Sequence, residues 1–139
     1  MPVRPQLIPN LRYVDAPAAI DFLCRAFGFT EQAVFRDEAD ASIVAHAQLR
    51  HGDHLVMLSS AVASDWATQA PLRTAREAGG NTQTIYVVID DVDAHAARAR
   101  AAGADVFMPP ADQDYGGRVY GARDPEGNAW SFGDYDPSA

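Results

Sequence analysis

The sequence predicts an α+β fold made of two tandem βαβββ modules, and three observations predict it. The chain nearly repeats itself at an offset of 75 residues: Asp15 matches Asp90, Ala19 matches Ala94, Arg25 matches Arg100, Ala26 matches Ala101, Gly28 matches Gly103 and Gly52 matches Gly127. The matches fall in one repeated order, an apolar strand, a corner Asp, an Ala-rich helix and a Gly where that helix should stop. Finally, 139 residues with 47% hydrophobic content suit one domain with one core. Two copies argue for a paired-module domain, because a solenoid needs at least about three stacked units.

The first module occupies residues 5–60. Residues 7–14 read as a strand, and Asp15 then offers a side-chain oxygen to cap a helix carrying Pro17 in its first turn. Ala16, Ala19, Ile20, Leu23 and Phe27 recur at helical spacing and form its buried stripe, with Gly28 as the stop. Cys24 lies four residues after Ile20 and reads as a small core hydrophobe. Residues 29–36 form a second strand, and a polar turn over 37–40 leads to a third. There Ile43, Ala45, Ala47 and Leu49 alternate with Val44, His46, Gln48 and Arg50, which predicts that the first set faces the helix and that His46 and Gln48 face away. A tight turn at Gly52 joins it to a fourth strand over 54–60.

Residues 61–81 form a connector containing Trp66, with room for a short helical turn, and connectors of this length are often functional. The second module, 82–136, repeats the plan. A strand over 82–89 precedes a helix over 92–102 and a strand over 104–108 closed by Pro109-Pro110. A last hairpin over 118–123 and 129–135 turns at Asp124-Pro125-Glu126-Gly127-Asn128.

Charge and composition exclude several classes. The net charge is −8, and all eleven basic residues are arginine, with no lysine. That balance disfavours nucleic acid, whose phosphates are met by clustered basic side chains, and tilts ligand choice toward a cation. No apolar run approaches the roughly 20 residues needed to span a bilayer. Residues 1–10 lack the plan of a signal peptide. With a single cysteine and no intramolecular disulfide possible, a cytoplasmic location is expected. No nucleophile–base pair, phosphate-binding loop or nucleotide fingerprint is present.

The closing motif Asp124-Pro125-Glu126-Gly127-Asn128-Ala129-Trp130 carries a family resemblance. With it stand Asn10-Leu11-Arg12-Tyr13-Val14-Asp15, Ala26-Phe27-Gly28-Phe29, His46-Ala47-Gln48-Leu49 and Tyr115-Gly116-Gly117-Arg118. Across its whole length the chain resembles the vicinal oxygen chelate superfamily of glyoxalases, bleomycin-resistance proteins and dioxygenases, in its bacterial glyoxalase-like, PhnB-like branch. The resemblance implies curved mixed sheets around a cleft. It also implies metal ligands, in the members that use them, near the start of the first strand and late in the fourth strand of each module. Those positions fall here on Ile8, Pro9 or Asn10, on Thr84, on Val56 and on Ser131, none a good ligand. No cofactor is therefore expected. The alternative is a divalent metal held with His46 and a recruited Asp134.

By the same parity the resemblance places Arg12, His46, Gln48, Tyr86 and Ser131 on the cleft. Arg118 and Tyr120, which share one face of the seventh strand, are expected to bind the ligand as well, with Trp66 closing over the opening. The expected function is a metal-free binding or sequestration protein of the bleomycin-resistance type. It would hold a small organic, cationic molecule and act in antibiotic resistance. The alternative is a metal-dependent glyoxalase-like lyase or isomerase, or a dioxygenase, with ligands elsewhere. A third reading is an assembly component with a vestigial cleft. Exposed edge strands make a homodimer the expected state.

Overall fold

The computed structural model describes residues 2–139. Asp15 caps the first long helix by accepting from the backbone of Ala18, and Gly28, at φ 79°, ends it in a left-handed conformation that a Cβ would strain. This helix, α1 (Ala16–Phe27), follows β1 (Asn10–Tyr13) and precedes β2 (Thr30–Arg36), β3 (Val44–His51) and β4 (His54–Ser60). The connector folds into two short helices, α2 (Asp65–Gln69) and α3 (Ala75–Ala78). The second module runs β5 (Ile85–Val88), α4 (Val92–Ala101), β6 (Asp105–Asp112), β7 (Arg118–Arg123) and β8 (Ala129–Gly133). The two mixed sheets have strand orders β1-β4-β3-β2 and β5-β8-β7-β6, so both modules are βαβββ.

Four details differ from the sequence reading. The first strand starts at Asn10 rather than at residue 7, and Leu7 is almost fully exposed. In β3 a register shift opposite Phe35 and Arg36 breaks the alternation, so Val44 is buried with Ala47 and Leu49 while Ala45 is exposed. The second long helix is capped by Asp91, not by its neighbour Asp90, which instead accepts from the Asp91 backbone. Lastly, β6 continues through Pro109 and Pro110 to Asp112. Proline is tolerated there because β6 is an edge strand, whose outer N–H groups have no ladder to join.

α1 and α4 pack against each other, and the helix-covered faces of both sheets meet in one hydrophobic core. Phe27, at the end of α1, crosses between modules: its ring lies 4.7 Å from Phe132 and 5.6 Å from Trp130, both on β8. The opposite, open faces of the sheets are turned away from this core.

Hydrogen bonds lock the modules at symmetry-related places. Asp124, Glu126 and Asn128 of the β7–β8 turn are all buried. Asp124 Oδ2 accepts from the Tyr13 hydroxyl at 2.7 Å and from Trp130 Nε1 at 3.2 Å, and its Oδ1 accepts from the backbone of Glu126 and Asn128. Glu126 accepts from the backbone N–H groups of Val14 and Asp15 at 2.7 and 2.8 Å. On the other side, the imidazole of His51 in the β3–β4 turn donates to the Val88 carbonyl at 3.0 Å. Burial, reinforced by the Asp124 charge and hydrogen bond, pushes the Tyr13 phenol well above its usual range, so it stays a donor.

His95 on α4 forms a third joint. Its Nε2–H donates to the Phe27 carbonyl at 3.0 Å, which leaves Nδ1 to accept from the Tyr120 hydroxyl at 2.5 Å. Burial lowers the His95 pKa from 6.5, with His51 and Arg98 acting the same way and the Phe27 carbonyl and Asp90 opposing. The unfolded chain therefore takes up this proton first as pH falls, and stability declines as pH drops through about 6.5.

Two outcomes are expected. Tyr13→Phe loses about 1.5–3 kcal/mol, the value of a hydrogen bond to a charged group. Asp124→Ala loses more than about 4 kcal/mol, because it strands several buried donors at once. Urea titration followed by Trp130 fluorescence measures both. Between pH 7.5 and 5.5, wild-type stability falls more steeply than that of His95→Gln; parallel pH profiles would show that His95 does not carry the dependence.

Candidate functional site

The register places a row of side chains on each open face. On the first sheet Asn10, Met57, Gln48 and Ala33 lie side by side across the four strands, with Arg12 beside Ser59 and Phe35 beside His46. The Phe35 and His46 rings stack at 6.2 Å between centroids. His46 Nε2 donates to Gln48 Oε1 at 3.0 Å, and Gln48 Nε2 donates to Gln32 Oε1 at 2.6 Å, so these polar groups form a chain. No Asp or Glu stands in these rows.

On the second sheet Tyr86, Ser131 and Gly121 are neighbours, as are Val88, Gly133 and Val119. The glycines have a steric purpose. A Cβ at Gly121 would come within 2.6 Å of the Phe107 ring, and one at Gly133 within 2.7 Å of the Tyr86 hydroxyl. Both aromatic side chains therefore lie close over the sheet where a larger residue would hold them off. The Tyr86 hydroxyl donates to the Tyr135 carbonyl at 2.6 Å, and the Arg123 guanidinium stands 4.3 Å from the Phe107 ring centre, a cation–π contact.

Of the residues singled out from sequence, Arg12, His46 and Gln48 lie on the first open face, and Tyr86 and Ser131 on the second. Arg118 and Tyr120 do share a face, but it is the helix side. Tyr120 is 1% exposed and bonded to His95, and Arg118 forms 3.1 Å ion pairs with Asp93 and Asp112. Trp66 sits on α2 and is 69% exposed. Partial burial and the Glu31 and Asp21 carboxylates raise the Cys24 thiol pKa, which suits a packing residue rather than a nucleophile.

Three cavities lie among the described residues. One of about 440 Å³ lies between β1, α3 and the approach to β5; a second of about 530 Å³ lies between the start of β4, β5 and residues 136–138; a third is a groove beside His95 and Arg98. None of the three brings His46 and Gln48 to Tyr86 and Ser131. Phe35 and Phe107 were missed from sequence: each stands on a strand whose register shifts, so alternation does not predict its face.

A divalent ion asks for about three His, Cys or carboxylate ligands. Among the described residues no such group of three gathers, and His46 is engaged with Gln48 and Phe35.

Paired βαβββ modules with bare sheet faces define a class, and comparison with known proteins places the chain within it. Residues 8–132 match the model of the Glyoxalase/Bleomycin resistance protein/Dioxygenase superfamily, and the chain belongs to that superfamily. It is 37% identical over 131 residues to an uncharacterised protein of Mycobacterium bovis, covering 94% of this chain and 84% of the relative. Among solved structures it is similar to TioX from Micromonospora sp. ML1, with 32% identity, a TM-score of 0.71, and coverage of 93% of this chain and 94% of that one. It shares the fold of the fosfomycin resistance protein FosX from Mesorhizobium loti at 17% identity, with a TM-score of 0.64 and coverage of 98% and 96%. Among the described residues no helix is long and apolar enough to cross a membrane.

Proposed function

We propose that the protein is a small-molecule binding or sequestration protein of the bleomycin-resistance kind, working in the cytoplasm without a resident metal. The guest is a planar organic cation held between the open face of one module and the open face of the other. The observation that carries this reading is the aromatic shelf on the second sheet, where Phe107 and Tyr86 lie over Gly121 and Gly133. Rings held this close to a sheet offer a flat apolar surface for stacking. The first sheet supplies the complementary surface, the Phe35–His46 stack with the Gln48 and Gln32 amides beside it. Since both open faces are turned away from the core of their own chain, a second copy closes the cleft by laying its second sheet over the first sheet of its partner. Such a homodimer has two equivalent clefts. The net charge of −8 favours a cationic guest by attraction over distance.

9-Aminoacridine, a planar fluorescent cation, tests this. Saturable quenching is expected from a species that sediments with dimer mass, and Gly121→Val, which drives the Phe107 ring off the sheet, weakens it by about tenfold or more. Monomer mass at all concentrations, or a titration unaffected by Gly121→Val in a variant of unchanged melting temperature, would overturn the reading.

A further inference from the structure

In a chain with 19 acidic residues, the cavity of about 440 Å³ beside β1 is lined by none of them, while two of the eleven arginines, Arg12 and Arg73, line it. Arg12 extends from the edge strand and donates from Nη2 to the Val62 carbonyl at 2.6 Å. Its Nε is buried and meets no acceptor among the described residues. A buried N–H without an acceptor is unfavourable, and a guanidinium presents its Nε–H beside a second N–H as a fork matched to a carboxylate.

The connector builds the facing wall. Thr74 and Glu77 form a capping box at the start of α3: Thr74 Oγ1 accepts from the Glu77 backbone at 3.2 Å, and the Glu77 carboxylate accepts from Thr74. This occupies Glu77 locally, and its contact with Arg73 is a loose 3.8 Å. Pro9, Leu72 and Ile85 give the cavity an apolar side. Its size is within the range of small-molecule sites.

We propose that this cavity is a binding site for a small organic monocarboxylate, whose head group pairs with the Arg12 guanidinium and whose body lies against Pro9, Leu72 and Ile85. The site is complete within one chain. It needs no second copy, although Arg12 stands at the β1 edge of the first open face, and it takes the opposite charge.

Calorimetric titration with 2-naphthoate and with the isosteric neutral 2-naphthamide tests it. Saturable naphthoate binding is expected, about tenfold or more tighter than the amide, and lost to a similar degree in Arg12→Gln. Because Arg12 also holds Val62, Ala78→Glu supplies a second variant: it leaves Arg12 in place and sets an acid on the cavity wall, with the same loss expected. Gly121→Val, on the aromatic shelf, leaves naphthoate affinity within about twofold. Amide binding as tight as naphthoate, wild-type affinity in both Arg12→Gln and Ala78→Glu, or no saturation at millimolar naphthoate would each overturn the proposal.

Discussion

The buried carboxylate of Asp124 fixes where everything else sits. A charged group removed from water is costly unless its lone pairs are filled, and here donors come from both modules. Tyr13 on β1 supplies one hydroxyl, while Trp130, Asn128 and the turn backbone supply the others. Glu126 extends the clamp to the residues that link β1 to α1. β1 is an edge strand, joined to its own sheet only along β4. The position of its other residues, Asn10 and Arg12 among them, thus depends on a turn more than 100 residues later.

With the modules clamped through their helix sides, chemistry is left to the open faces and the seams between elements. The family's fold hosts several activities, so activity has to be argued from side chains. Those side chains divide by surface. Aromatic rings lie flat over glycines on the second sheet beside the Arg123 guanidinium, amides and an imidazole make the first sheet polar without acid, and the seam under α3 holds Arg12 and Arg73. Each of the three surfaces offers a different kind of contact.

Much of the architecture was legible because its signals are local. Asp15, Gly28 and the 75-residue offset act within a few residues of where they stand, and they predict module order and helix ends. Alternation also puts Arg118 and Tyr120 on one face of β7, while the resemblance supplied the placement of Tyr86 with Ser131. It could not say which group faces the helix, because parity is relative and the absolute face is set by packing between modules, as at His95 and Tyr120. The shifts at Phe35 and Phe107 escaped for a related reason: a bulge leaves no mark in composition, and the prolines of β6 read as a stop until the strand is seen to lie at an edge. The cavity at Arg12 depends on the connector returning to β1, which is a contact no window of sequence contains.

His51 and Glu126 occupy the same place in the repeat, since 51 + 75 = 126. Each reaches the end of the other module's first strand. His51 donates a hydrogen bond to a carbonyl, and Glu126 accepts hydrogen bonds from two amides. The two halves have thus become a plug and a socket rather than twins. Two copies of the first module brought together the same way would lack the carboxylate that holds Val14 and Asp15. One repeated position thus makes the two joints chemically unlike, and each half carries a group suited to its counterpart.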